Sequence, residues 1–342
     1  METERRKLAA RTGALLALAA VAVLAALREA QTIVLPFLFS CFLAALLSPI
    51  VGILQRRKWP ILPAVLASLA LVFLVGLSGC YLLFFSLQDL GSELPRYTAR
   101  LLELAREANG LARARGVELH VDQFLASFDL VNVAPLVTDS LKFVVSASRY
   151  GVMVFFITLF ALLEGARFKD KLRRAFGEKN FFDESFRGVA SDIQRYLVVK
   201  TAISLATGVA VGLFLWAAGI PFPLLWGMVA FALNYIPSVG SVVASVPPVL
   251  LALLDPASPL ASALVVALGL LGIQTVLGSY VDPRLMGENL NLSALVVFLS
   301  MVFWGWMWGP AGMLMAVPLT VCVKVGLAHH PRTAPLSKLL ES

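Results

Sequence analysis

Charge is what this sequence has least of. Only 14% of its 342 residues are Asp, Glu, Lys or Arg, against about 25% in a typical soluble domain. That scarcity excludes a soluble enzyme, a disordered chain and a nucleic-acid-binding module, which need charge to stay in water or to meet phosphate. Cysteine is nearly absent too. Cys41, Cys80 and Cys322 are odd in number, far apart and set in apolar surroundings, which excludes a disulfide framework and a CxxC metal site; we read them as packing residues. Catalytic signatures are also missing: no G-x-S-x-G elbow, no H-E-x-x-H pair and no P-loop. The expectation is a protein that is not an enzyme, with no cofactor and no bound metal, the His329-His330 pair in the tail included. Without an ATP site it is not by itself an ATP-driven pump.

What the chain does have is long apolar runs, with 59% of residues hydrophobic. A helix needs roughly 20 apolar residues to cross the hydrocarbon core. Such blocks run from Gly13 to Leu27, Thr32 to Leu54, Ile61 to Leu87, Leu141 to Leu163, Thr201 to Ala218, Leu224 to Leu254, Leu260 to Tyr280 and Leu292 to Val323. The first follows Arg5-Arg6-Lys7 and has no small-residue cleavage site after it, so it reads as a retained span rather than a signal peptide. The fold class expected is an all-α polytopic membrane protein.

The formal charge is +7, and much of the excess lies beside the blocks, where Lys and Arg mark cytoplasmic loops. Glu4-Arg5-Arg6-Lys7, Gln55-Arg56-Arg57-Lys58 and the run of Arg167, Lys169, Lys171, Arg173 and Arg174 all fall inside on one alternating path. The acid-rich stretch from Gln88 to Ser140 falls outside. Both termini are expected in the cytoplasm. The organisation read from these runs is a three-span region (1–88), an extracytoplasmic helical segment (89–140), a fourth span with a basic cytoplasmic segment (141–200), a transport core (201–326) and a tail (327–342). Within the soluble segments, Leu94, Tyr97, Leu101, Leu104, Ala108 and Leu111 recur at helical spacing. Asp122 reads as a helix cap, Pro135 as a helix start, and Phe186, Val189, Ile193 and Leu197 as a second apolar stripe. These are expected to be peripheral amphipathic helices, on the membrane surface or against neighbouring subunits.

The second half carries the informative pattern. Leu224 to Leu254 as one straight helix would be ~45 Å long, well beyond a ~30 Å core. Its centre reads Asn234-Tyr235-Ile236-Pro237-Ser238-Val239-Gly240-Ser241, where proline removes a backbone donor and glycine permits a sharp bend. Leu292 to Val323 repeats the device at Gly309-Pro310-Ala311-Gly312. Each broken block follows one ordinary span. The reading is about six full spans plus two re-entrant broken-helix hairpins, forming an inverted repeat in the C-terminal half. The alternative takes both blocks as full crossings. The Asp255-Pro256-Ala257-Ser258 loop separates the two: outside for hairpins, inside for full spans.

Breaks in lipid leave backbone groups that protein or water must satisfy. Two tips facing each other at the midplane would make a site for a small polar molecule or ion. The expected lining is Asn234, Tyr235, Pro237, Ser238, Gly240, Ser241, Gly309, Pro310 and Gly312, with Gln274 from the span between; each could instead only cap or pack a kink. Asp282 and Arg284 could form a gate or proton relay, or be an interface ion pair or a helix-end anchor. Trp304, Trp306 and Trp308 abut the second break and are expected to pack there. Ser204, Gly208 and Gly212, four apart, read as a small-residue helix contact.

The stretch from Asp192 to Val325 resembles the autoinducer-2 exporter family of bacterial inner-membrane transporters. The residues that carry the resemblance are Asn234-Tyr235-Ile236-Pro237-Ser238-Val239-Gly240-Ser241, Pro247-Pro248, Asp282-Pro283-Arg284-Leu285-Met286-Gly287, the run from Leu292 to Ser300, Phe303-Trp304-Gly305-Trp306 and Gly309-Pro310-Ala311-Gly312; Ile193-Gln194-Arg195-Tyr196-Leu197 and Lys200-Thr201 also fit. The resemblance implies export of a small polar signal such as autoinducer-2, most like the signal-exporting branch. It also implies a homo-oligomer, a pentamer in the family pattern, and an elevator-like moving unit in the bacterial inner membrane. Some members are credited with sodium–proton antiport, which keeps proton or sodium coupling, and antiport itself, as the rival. Antiport usually needs a membrane-buried carboxylate, and Glu164, Asp255 and Asp282 all sit near span ends. A non-transporting scaffold would leave the two breaks unexplained. Lipid is an expected partner and nucleic acid is not.

Overall fold

A computed structural model of the chain describes residues 21–114, 150–165, 181–237, 239–255, 258–286 and 292–328, with a few single positions besides. The basic start, the Asp122 cap, Pro135, the run from Arg167 to Arg174, Ser238, Gly287 and His329-His330 lie outside the described residues. The described residues are helical, without a strand, and the chain is an all-α polytopic membrane protein. Among the described residues, five helical segments, Gln31–Arg56, Ile61–Leu104, Ser191–Ala217, Pro259–Val281 and Ala294–Ala328, are long and apolar enough to cross a membrane.

Helices α1 (Gln31–Arg56) and α2 (Ile61–Ala114) pair with α3 (Tyr150–Gly165). Leu47 and Val51 of α1 meet Ala64, Val65 and Leu69 of α2, with Phe155, Leu159 and Leu162 of α3 packed against them. α2 is a single helix of 54 residues. The expected separate amphipathic helix from Pro95 is its continuation, and the expected boundary at 88/89 falls inside it. Pro95 interrupts one hydrogen bond without ending the helix, because the turns on both sides have strong helix formers.

Helix α4 (Phe181–Ala217) also runs without a break. Its stripe residues Ile193 and Leu197 pack with Tyr196, Val317 and Phe42, so this part faces protein rather than the membrane surface. Against α4 lies α5 (Pro223–Leu233). A Cβ on Gly208 would sit 2.7 Å from the Gly227 carbonyl oxygen, and one on Gly227 2.7 Å from the Gly208 carbonyl oxygen. The Ser204-Gly208-Gly212 spacing therefore does mark a close helix contact, at which backbones touch.

After α5 the chain reverses into α6 (Val239–Leu253). Pro237 has no N–H to offer the Leu233 carbonyl four residues back, and Ile236 N–H takes that acceptor in a tighter turn at 2.9 Å. The backbone of Gly240 then lies directly on the Leu233 carbonyl, a place any Cβ would occupy. Next come α7 (Pro259–Gln274), a π-helical segment (Thr275–Val281) and α8 (Asp282–Met286). The final helix, α9 (Ala294–Ala328), breaks at Trp308 and at Gly309, whose φ of +63° suits glycine alone. Its halves fold back on each other. Trp304 Nε1 donates to Thr320 Oγ1 at 3.2 Å, although on a straight helix these residues would be ~24 Å apart. Gly312 lies on the Trp304 carbonyl as Gly240 lies on that of Leu233. Both long blocks are thus helix–break–helix hairpins.

The two tips do not face each other across one cavity. α6 is 15 residues long, about 22 Å at 1.5 Å per residue, enough to cover most of the core. The hairpins accordingly pass side by side. Ile236 of the first tip packs on Met301 and Ala316 in the two arms of the second. The second tip docks elsewhere: Met307 and Trp308 pack among Leu24, Leu27, Val34 and Leu38, and Trp308 Nε1 donates to the Leu27 carbonyl at 3.2 Å. Trp304 stacks on Trp308 with centroids 5.1 Å apart, as expected of residues abutting a break. Trp306 instead turns outward beneath the Arg28 guanidinium.

Candidate functional site

A cavity of about 460 Å³ opens beside the first tip, within the size range of small-molecule sites. Four elements build it. α4 supplies Tyr196 and Lys200, one helical turn apart on the same face. The tip supplies Asn234, Ile236, Pro237 and Ser241. The end of α7 and the π segment supply Gln274, Thr275, Ser279 and, one turn on, Asp282. The arms of the second hairpin contribute only Val297 and Val317.

Asn234 and Tyr235 fix the tip to α4. Asn234 Nδ2 donates to Ser204 Oγ at 3.0 Å, and the Tyr235 hydroxyl donates to Thr201 Oγ1 at 2.8 Å. Asn234 serves both the wall and the scaffold; Tyr235 is scaffold and does not line the cavity. Gly240 acts from behind the tip through its missing side chain. Gln274 and Ser241 face the cavity as expected. Gly309, Pro310 and Gly312 do not, because their tip docks on Leu27 and its neighbours instead; they build that turn.

The electrostatic centre of the site is an ion pair that the sequence did not announce. Lys200 Nζ lies 2.7 Å from Asp282 Oδ2, with the side chains 6% and 14% exposed. Asp282 was expected beside Arg284. Arg284 instead points away and covers the Tyr280 ring at 3.7 Å from its centroid, since two residues apart on a helix do not share a face. Removing two charges from water is costly, and only a close partner makes it tolerable. Asp282 Oδ1 is buried and has no hydrogen-bond partner among the described residues. The cavity wall thus carries a net-neutral pair, surrounded by amide and hydroxyl groups.

The π segment shapes this wall. Pro283 cannot donate to the Ser279 carbonyl four residues back, so the ladder here has slack, and a wider turn places Thr275, Ser279 and Asp282 on one face. Such wide turns recur at functional sites. The signals that could have found the missed residues were present. Lys200 sits four residues after Tyr196, and Thr275, Ser279 and Asp282 fall four and three apart. Placing the start of the span at Thr201 hid Lys200, which the continuous α4 carries into apolar surroundings.

Comparison with known proteins is consistent along the chain. Residues 14–332 match the family model described as AI-2E family transporter. The AI-2 transport protein TqsA of Escherichia coli is 35% identical over 323 residues, covering 94% of this chain and 92% of that protein. A candidate transport protein of Haemophilus influenzae is 34% identical over 338 residues, 94% of each chain. YhhT of Escherichia coli, also named as a candidate transport protein, is 31% identical over 322 residues, 94% of this chain and 91% of that one.

Proposed function

The chain belongs to the AI-2E transporter family, and from that premise we propose that it exports a small polar signal or metabolite such as autoinducer-2 through the cavity beside the first hairpin tip. The observation that carries this reading is the charge balance of the site. Lys200 neutralises Asp282, and the rest of the polar lining consists of neutral hydroxyl and amide groups. That set suits an uncharged molecule with several hydroxyls, which both donates and accepts hydrogen bonds. Sodium–proton exchange would need a carboxylate free to trade a metal ion for a proton, and the one in this cavity is already held by an ammonium group.

In this reading the two hairpins move together against the α1–α3 bundle in an elevator-like step, in a homo-oligomer of the bacterial inner membrane with both termini inside. Purified protein in liposomes should move autoinducer-2 at a rate that does not change with a sodium gradient. Sodium-dependent proton flux without signal movement would overturn the proposal. The topology has its own test. A cysteine at Ser258, in a cysteine-free background, should react with an impermeant maleimide from outside intact cells; reaction only after permeabilisation would place the loop inside and remove the inverted repeat.

A further inference from the structure

The polar cavity is not closed on its membrane side. A groove of about 410 Å³ between α6 and α7 shares Ser241, Leu271 and Gln274 with it. Apart from Ser245, the rest of the groove is aliphatic: Val242, Val246, Val249 and Leu250 from α6 and Ala267 from α7. Spacings of three and four along both helices make this a lengthwise trough. Val242, Val246, Leu250 and Leu271 are roughly half exposed or more, on a face turned to lipid. A polar chamber and an apolar trough that meet at Gln274 form one amphipathic site, with its long side open to hydrocarbon.

We propose that this site binds a single-chain amphiphile with an uncharged, hydroxylated headgroup, of the monoacylglycerol class, entering sideways from the bilayer. The chain lies in the trough and the headgroup in the cavity. Two features choose this occupant. The chamber is lined by amide and hydroxyl groups and by an ion pair already closed at 2.7 Å, so it gives an uncharged hydroxylated headgroup hydrogen-bonding partners and gives a phosphate or carboxylate no unengaged cation among the described lining residues. The trough holds about 410 Å³ and runs ~13 Å along α6 from Ser241 to Leu250, room for one medium-length chain and not for the two chains of a bilayer phospholipid. The inference does not rest on export of a soluble signal.

The test uses full-length protein in liposomes and 1-decanoylglycerol carrying a diazirine near the end of its chain. After irradiation, peptide mapping should place label at Val246, Val249 and Ala267. Excess 1-decanoylglycerol should suppress it and decanoate should not. Ala267→Trp fills the trough and should cut the labelling about tenfold; Ala267→Leu should cut it less, and competition on the unaltered protein needs no variant. Label spread over Leu264, Leu268 and Leu213 to the same extent, and indifferent to competitor, would mean ordinary lipid contact and overturn the proposal. Disulfide-linked dimers through a cysteine at Val246 would overturn it too, by giving the trough to a second copy. Trough labelling without autoinducer-2 flux would sink the export reading and leave this one standing; flux without trough labelling would do the reverse.

Discussion

Gly240→Leu should abolish transport while the protein is still recovered from membranes. The Gly240 backbone rests on the Leu233 carbonyl, with the Ile236 Cβ 3.3 Å from where its own would be. Any side chain there meets backbone, which cannot rotate away. Overpacking a tight site costs typically 1–3 kcal/mol, and with an immovable neighbour the upper end applies. At about 3 kcal/mol the closed turn would lose more than a hundredfold in population. The cavity wall formed by Asn234, Pro237 and Ser241 would go with it. The spans would remain, since their insertion depends on hydrophobic length and not on the turn. Gly312→Leu makes the same clash with the Trp304 carbonyl, but that tip does not line the cavity. Its loss should act through the docking of Trp308 on Leu27 and leave ligand binding in detergent intact. Initial transport rates, with ligand binding measured on the same preparations, separate the two. Wild-type rates in Gly240→Leu would mean that the tip is not part of the path.

The second large effect concerns the buried pair. Lys200→Met leaves Asp282 charged and alone, and Asp282→Asn leaves Lys200 alone. Each should destabilise the protein by about 3–5 kcal/mol, the usual cost of orphaning a buried charge. The double variant removes both charges and should recover most of that stability, because a neutral replacement of a buried pair is often harmless. Thermal unfolding in detergent of the four proteins gives the coupling directly. Transport should not recover in the double variant, since the cavity wall would have lost both of its charged groups. If Asp282 also carries a proton during the cycle, the pH profile of any residual transport in Asp282→Asn will differ from that of the parent; an unchanged profile makes the pair structural. Additive single effects, with no recovery in the double, would show that the two side chains do not depend on each other.

The sequence was most legible where physics acts locally. Pro237 and Gly240 announced the first break because a missing donor and a missing side chain have their effect within a turn. Gly309 and Pro310 announced the second for the same reason. Gly208 and Gly212 marked a helix contact because small residues four apart have few other uses in a membrane helix. Relations between distant segments were less legible. Two breaks near the centres of two blocks suggested tips meeting at one depth. The actual depth of each tip is set by arm length and by its docking surface, Thr201 and Ser204 for one and Leu27 for the other, and no spacing encodes that. The Lys200–Asp282 pair spans 82 positions and could not be chosen over Asp282–Arg284 without knowing which faces meet. The π segment was hidden because Thr275 to Val281 differs from an α-helix by one residue of register, while its hydrophobic pattern is ordinary.

The continuity of α4 has a mechanical consequence. The helix runs from Phe181 to Ala217 with no joint, and the first hairpin is clamped to it by the Gly208–Gly227 contact and by the bonds from Asn234 and Tyr235. Two bodies fastened at three heights move as one lever. A displacement of the tip should therefore be carried along α4 toward its first turns at residues 181–190, beyond the apolar stretch. A reporter fixed there would register the occupancy of a chamber it never touches, and an agent that grips those turns would hold the chamber still from outside the bilayer.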